Sequence, residues 1–385
     1  MDKNTLNVLI VSNGYGEDQI ACNLIKASKK TKSAQRMDFF ALPLVGQGLE
    51  YQKYGIEPLI KNPLLPSGGF IRGLSSLYKD LKAGLLGQVF QQRKKISKIA
   101  TKIDLTICVG DVYCLLLGSY KNKSPKYFIP TAKSDLFAKH SKLEIWLMNK
   151  YAKLVFPRDP QTTDSLAQVG LQTYFFGNPM MAGIECSTNK NEKGVKTIGL
   201  MPGSREEAYD NFNYILKVIE GVKAQNKVCF KLAKANSFSL EKLGVKLAGT
   251  DWLVKPEQQK IMNNELGFSI EVSEDFNNVL SSSDFFVGLA GTANEQAIYC
   301  QKKVICFEGF GPQSTKTRFE EQQKLLGDNI VFIKKREESS IREQIIKLLS
   351  SGNESLDKTR PPKTDSAAKI MEQVFTHFNS QNKNT

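Results

Sequence analysis

Residues 287–296 run Val287-Gly288-Leu289-Ala290-Gly291-Thr292-Ala293-Asn294-Glu295-Gln296. Just before them, Asp284-Phe285-Phe286-Val287 has the apolar density of a buried strand end. Just after, Ala293 to Tyr299 suits a helix. Strand, glycine turn and helix make the βα unit of a parallel sheet. Glycines at 288 and 291 let the backbone come close to a ligand. Thr292 can cap the helix, whose free N–H groups would face an anion. Glu295 lies about one turn in, where a carboxylate can reach paired sugar hydroxyls. The combination suits a nucleotide diphosphate and its ribose. It equally suits an ordinary βα turn, and the ten residues alone leave both open.

The same alternation extends to both sides. Lys196 to Met201 is strand-like and leads into Pro202-Gly203-Ser204-Arg205-Glu206-Glu207, with a helix from Asn211 to Lys223. Gly203 frees the backbone, Ser204 can cap, and Arg205 offers a forked cation to phosphate. Lys303 to Phe307 is another strand, opening into Glu308-Gly309-Phe310-Gly311-Pro312-Gln313. In the first half, Leu6 to Val11 is an apolar run of strand length. The turn Ser12-Asn13-Gly14-Tyr15-Gly16-Glu17-Asp18 follows, then a helix from Gln19 to Lys29. GxGxxG is absent there, and Glu17 and Asp18 would repel a diphosphate. That turn, with Gly14 and Gly16, is therefore assigned to the acceptor or catalytic side. Asp104 to Gly110 is a strand with Asp111 at its carboxyl end, where ligands of parallel sheets collect. An acid there can serve as general base; it can equally cap the helix Val112 to Leu117. The pattern predicts two α/β domains, each a parallel sheet covered by helices. Expected boundaries are 1–179 and 180–365, with a helix at 366–380 packing back on the first.

Composition narrows the partners. An apolar fraction of 41% supports sizeable cores. Formal net charge is +14, and residues 1–150 carry 23 Lys and Arg against 11 Asp and Glu. The first half should meet something anionic. No aromatic-rich basic platform accompanies the charge, so nucleic acid is not expected. Residues 63–71, Pro-Leu-Leu-Pro-Ser-Gly-Gly-Phe-Ile, are apolar and broken by turn formers. Leu74, Leu77, Leu81, Leu85 and Leu86 then recur at helical spacing beside Arg72, Lys79 and Lys82, with Arg93-Lys94-Lys95 beyond. Residues 64–95 therefore suit shallow contact with an anionic membrane, or a core helix with a basic outer face. The polar start predicts no signal peptide, and no apolar run is long enough to span a bilayer. Seven cysteines without a CxxC pair read as small thiols, mostly buried, in a reducing compartment. With two histidines, His140 and His377, neither a His-based zinc site nor a His triad is expected.

The motifs Met201-Pro202-Gly203-Ser204-Arg205, Gly177-Asn178-Pro179 and Gly288 to Glu295 fall in the order found in lipid-A-disaccharide synthases. The chain more closely resembles the synthase-related proteins of cyanobacteria and plastids, through Ser12 to Asp18, Ala132-Lys133-Ser134-Asp135 and Gly309 to Gln313. The resemblance covers most of the chain and is weakest over 35–100 and 235–270. It implies two Rossmann-like domains facing a cleft, the GT-B architecture, and an inverting glycosyltransferase using a UDP-sugar. Asp111 matches the family's catalytic Asp, which would take the proton from the acceptor hydroxyl with Glu17 as its aid. Arg205, Gly291, Thr292 and Glu295 match the nucleotide-sugar contacts, with Gly203, Ser204, Gln296, Gly309 and Phe310 on the same walls. Lys133, Ser134 and Asn178 fall on the acceptor side. Here the chain departs from the true synthases. Their Ala-Gly-Glu-x-Ser-Gly-Asp start is replaced, Asn178 stands where they have His, and their Trp-rich loop is Thr131 to Asp135. The implied acceptor is lipid-linked or membrane-associated, without a metal or other cofactor. The implied location is cytoplasmic, peripheral to a membrane. A nucleotide-sugar 2-epimerase shares this architecture and is the alternative within enzymes; a non-enzymatic basic protein bound to membrane or nucleic acid is the alternative outside them.

Overall fold

The structure, a computed structural model, describes residues 5–29, 36–62, 82, 84–186, 195–223, 226–311, 314–350 and 365–382. Most of the leucine-rich stretch at 63–81, the polar linker at 187–193 and the loose connection at 352–364 lie outside the described residues. The chain forms two compact units, Met1–Gly183 with Lys363–Thr385, and Ile184–Pro362.

Unit 1 is built on a five-stranded sheet of β1 (Thr5–Ser12), β2 (Arg36–Pro43), β3 (Leu105–Gly110), β4 (Lys126–Pro130) and β5 (Ala152–Val155), in the order β2-β1-β3-β4-β5. Every pairing is parallel. The central strands are apolar on both faces because helices cover both. On one side lies α1 (Tyr15–Ser28), whose Ile20, Leu24 and Ile25 join the core. A short α2 (Leu49–Gln52) adds Tyr51. The other side carries α3 (Leu85–Ile99), α4 (Val112–Gly118), α5 (Lys142–Tyr151) and α6 (Pro160–Gln168), which contribute Ile96, Leu115, Met148 and Leu166 to a second cluster.

Helix α1 begins at Tyr15, four residues before the expected start. Glu17 and Asp18 are thus first-turn residues of the helix rather than part of a loop. In α3 two glutamines join Ile96 on the inward face. Gln88 and Gln92 are buried, while Leu86 is exposed. The cause lies elsewhere in the chain: both glutamine amides donate to the Leu44 carbonyl, at 2.8 and 3.1 Å, and Gln92 also donates to Asn62 Oδ1. A buried carbonyl needs a partner, and these glutamines supply it.

Unit 2 holds an eight-stranded sheet. Its strands are β6 (Lys196–Met201), β7 (Val228–Ala233), β8 (Trp252–Lys255), β9 (Lys260–Asn263), β10 (Phe268–Ser273), β11 (Phe285–Gly288), β12 (Val304–Phe307) and β13 (Ile330–Ile333). The order is β13-β12-β11-β6-β7-β10-β9-β8. Helices α7 (Ala208–Lys223), α8 (Leu240–Lys246), α9 (Phe276–Ser282), α10 (Thr292–Tyr299), α11 (Lys316–Leu326) and α12 (Glu338–Ser350) connect them. The sheet is not wholly parallel, contrary to the expectation. β8, β9 and β10 form an antiparallel arm. Along β10 buried and exposed side chains alternate, as a strand with one solvated face requires. The last helix, α13 (Ser366–Asn382), belongs to unit 1. It packs along α1 and buries Ile370, Met371, Val374 and Phe378, at i, i+1, i+4 and i+8 on one face. His377 Nδ1 stands 3.1 Å from Tyr127 Oη.

The cysteines divide. Cys22, Cys108, Cys114 and Cys306 are buried thiols, as expected. Cys186 and Cys300 instead form a disulfide, and Cys229 is exposed. The pairing was not visible in the sequence because its partners lie 114 residues apart. Among the described residues no helix is long and apolar enough to cross a membrane.

Candidate functional site

In unit 1 the turns after β1, β3 and β4 are tied together around Asp111. Gly110 has φ +138°, and a Cβ there would stand 2.6 Å from the Asn13 Cβ. Glycine thus lets the β1 and β3 turns close on each other. Asn13 Nδ2 then donates to Asp111 Oδ2 at 2.9 Å, while Oδ1 accepts from the Tyr113 amide at 2.9 Å. Asp111 is therefore the N-cap of α4 and, at the same time, a carboxylate at a strand's carboxyl end. Burial pushes its carboxyl above the usual range, against the lowering by the Tyr113 and Cys114 amides and by Asn13. That is the direction a general base needs.

Glu17 is joined to this cluster by Thr131, whose hydroxyl donates to Glu17 Oε1 at 3.0 Å. Thr131 N donates to the Gly110 carbonyl, and its own carbonyl accepts from Arg158 Nη1 at 3.1 Å. Asp18 points the other way. It is 1% exposed, and its Oδ1 accepts from Ser12 Oγ at 2.5 Å. Ser12 also meets Tyr51 Oη at 2.6 Å. Burial raises the Asp18 carboxyl well above its ordinary value. Gly14 is the N-cap of α1 in extended backbone, and Gly16 lies in the first turn.

The remaining acceptor-side residues are engaged locally. Lys133 pairs with Glu144 at 2.7 Å. Ser134 is fully buried, and its hydroxyl accepts from the Leu136 amide. Asn178 caps the short turn Pro179–Met181 through the Met180 amide. Within unit 1 the structure thus gathers Asp111 and Glu17, with Asn13, Thr131 and Arg158 as supports the sequence reading did not single out.

Unit 2 gathers its own set of strand-end turns. The two glycines differ in their surroundings. At Gly288 a Cβ would lie 2.2 Å from Asn294 Oδ1 and 2.8 Å from the Met201 Cε, so this glycine makes room for packing. Gly291 has open space, and it rather than Thr292 is the N-cap of α10. Thr292 is the first helical residue. Asn294, fully buried, donates to the Gly288 carbonyl, and Gln322 Nε2 donates to the Gly291 carbonyl at 3.2 Å. Glu295 and Gln296, both 8% exposed, follow on the same turn.

Asn211 connects the other two turns. It is 1% exposed on α7. Its Oδ1 accepts from the Phe310 amide at 2.6 Å, and its Nδ2 donates to the Pro202 carbonyl at 3.2 Å. Ser314 Oγ then reaches the Leu289 carbonyl at 3.1 Å. Gly309 has no room for a side chain, since a Cβ would meet Asn211 Oδ1 at 2.6 Å. Gly203 takes φ +117°, and the Ser204 carbonyl accepts from Ser237 Oγ. Arg205 lies half-buried beside them. The Phe310 ring, 41% exposed, lies 4.2 Å from the Arg336 guanidinium. The turns at 202–205, 288–292 and 309–311 are therefore held in one array; Pro312 and Gln313 lie outside the described residues. Helix start, glycine turn and carboxylate are the features that suit a diphosphate and a ribose.

No protein-family model matches the chain, and no curated protein does. Solved structures match over nearly its whole length. The calicheamicin glycosyltransferase CalG4 superposes with a TM-score of 0.59 at 13% identity, covering 98% of this chain and 99% of the other. The UDP-GlcNAc 2-epimerase of Methanocaldococcus jannaschii, in complex with UDP-GlcNAc and UDP, gives 0.56 at 12% identity, covering 97% and 100%. The epimerase of Neisseria meningitidis, bound to UDP-GlcNAc, gives 0.53 at 12% identity, covering 98% and 100%. The chain has the GT-B fold. Its two Rossmann-like units match those of enzymes that transfer sugars and of enzymes that epimerise a UDP-sugar. At such identities the likeness shows the fold alone, and a fold hosts many activities.

Proposed function

We propose that this chain transfers a sugar from a UDP-sugar to the hydroxyl of a lipid-linked acceptor, with inversion and with Asp111 as general base. The observation that carries this reading is the setting of Asp111: a strand-end carboxylate, steered by Asn13 and raised by burial. Such a group can take a proton from a hydroxyl as it attacks. Glu17, held through Thr131, would assist in orienting the acceptor. In unit 2 the helix start at Gly291 and the Arg205 guanidinium would stabilise the departing diphosphate without a divalent ion. Glu295 would hold the ribose. The neighbours solved with UDP-GlcNAc or UDP support the donor class.

The departures at Ser12 to Asp18, Thr131 to Asp135 and Asn178 favour an activity related to lipid-A-disaccharide synthesis but distinct from it. The cationic first half favours an acceptor at the cytoplasmic surface of an anionic membrane. A UDP-sugar 2-epimerase is the second reading, favoured by the epimerases that share the fold. Product analysis with UDP-GlcNAc alone separates the two, since an epimerase needs no acceptor. For transfer, Asp111→Asn should lower UDP release in the presence of a lipid extract by roughly a hundred- to ten-thousand-fold. UDP should still raise its thermal midpoint. If turnover stays within about tenfold of native, Asp111 is a helix cap and the base lies elsewhere.

A further inference from the structure

Unit 1 presents two unlike helical faces. Among the described residues, α1 and α13 carry no large exposed apolar side chain. The opposite layer carries five: Leu86 and Phe90 on α3, Leu116 on α4, and Leu143 and Trp146 on α5. Helix α4 packs against both α3 and α5, so these residues belong to one continuous layer. Single exposed apolar residues are ordinary. Five on one layer mark an interaction surface.

The helices are patterned for it. On α3, Leu86, Phe90, Arg93 and Lys94 fall at i, i+4, i+7 and i+8, a single outward stripe. Gln88, Gln92 and Ile96 form the inward one. Leu86 is 70% exposed and Phe90 68%, while two glutamines are buried. The Leu44 carbonyl accounts for the inward glutamines; among the described residues nothing within this unit covers Leu86 and Phe90. On α5, Leu143, Trp146 and Lys150 share a stripe, with the Lys150 ammonium 4.8 Å from the indole centroid. A capping box of Ser141 and Glu144 secures the start of α5.

Charge selects the partner. Between residues 85 and 155 stand 13 Lys and Arg against four Asp and Glu. Of those four, Asp111 is bound by Asn13 and Glu144 by Lys133. Helix α3 has no acid at all. A second copy of the chain would set these cations against themselves. Indole and aliphatic groups flanked by lysines match the boundary between headgroups and acyl chains.

We infer that the α3–α4–α5 layer of unit 1 docks on an anionic lipid bilayer, with Phe90, Leu143 and Trp146 inserted and the Arg93-Lys94-Lys95 run on the headgroups. This rests on the lipid-linked acceptor proposed above and names the surface that meets it. Asp111 caps α4, the middle helix of that layer, so docking would hold the candidate base at one end of the membrane-bound face.

The test is flotation of the full chain at low salt, with phosphatidylglycerol–phosphatidylcholine vesicles and with phosphatidylcholine alone. Native protein should float with the anionic vesicles, and more weakly as salt rises. The double variant Leu143→Ser/Trp146→Ser should lower the bound fraction at least about tenfold. Val245→Ser, at a still more exposed apolar site in unit 2, should not. With Trp252→Phe, Trp146 is the one remaining indole, and anionic vesicles should shift its emission to the blue. No flotation with anionic vesicles, native flotation of the double variant, or an unshifted Trp146 would each overturn the inference. So would capture by polyglutamate in place of vesicles, which would assign the face to an acidic protein. The UDP-induced rise in thermal midpoint should be the same in the double variant and native chain. A chain that floats but ignores UDP would refute the donor reading while supporting the docking surface.

Discussion

Asn211→Ala is the sharpest probe of how unit 2 holds its turns. The side chain is 1% exposed, and its orientation is set by chemistry: the Phe310 amide can only donate, so the oxygen faces it at 2.6 Å and the nitrogen faces the Pro202 carbonyl at 3.2 Å. Alanine leaves both backbone groups without this partner. Each orphaned buried group costs about 1–3 kcal/mol, so unit 2 should lose about 2–6 kcal/mol. Asn211→Asp keeps the acceptor for Phe310 but sets a carboxylate oxygen against the Pro202 carbonyl, and should cost a similar amount. The assay is urea unfolding followed by Trp252 emission in a Trp146→Phe background, so that unit 2 alone reports. UDP affinity should fall with stability, because the turns at 202–205 and 309–311 lose their link. Both variants unfolding within about 0.5 kcal/mol of native, the range of an ordinary surface change, with UDP affinity unchanged, would refute this account.

Two further outcomes are expected. Glu295→Ala should weaken UDP binding roughly tenfold to a hundredfold, the worth of hydrogen bonds to a charged group, and should abolish any preference for UDP over 2′-deoxy-UDP; calorimetry showing native affinity would remove the ribose assignment. Asp18→Asn should flatten part of the pH dependence of unit 1. The Asp18 carboxyl is raised by burial, and its Oδ2 has no hydrogen-bond partner. Its contribution is therefore fully present below the unfolded value of about 3.9 and is lost as pH rises through the folded one. The stability of the variant relative to native should grow with pH across that window; a difference independent of pH would show that the carboxyl does not titrate as described.

The sequence by itself determined the fold class and most of the strands. Buried parallel strands must be apolar on both faces, so Leu6 to Val11, Asp104 to Gly110 and Asp284 to Val287 stand out as continuous runs without knowledge of their neighbours. The local chemistry of turns was legible for the same reason: Asp111 was readable as both strand-end acid and helix cap because both roles depend on adjacent residues. What the tertiary structure alone decided are matters in which the partner is distant in sequence. Gln88 and Gln92 face inward because the Leu44 carbonyl lies there. Gly288 has no room for a side chain because Asn294 folds back over it. Asn211, an unremarked polar residue in a helical stretch, became the tie between two turns. Cys186 and Cys300 met across 114 residues. In each case a buried polar atom or a close approach must be satisfied by a group that only the folded chain brings near, and periodicity along the sequence carries no record of it.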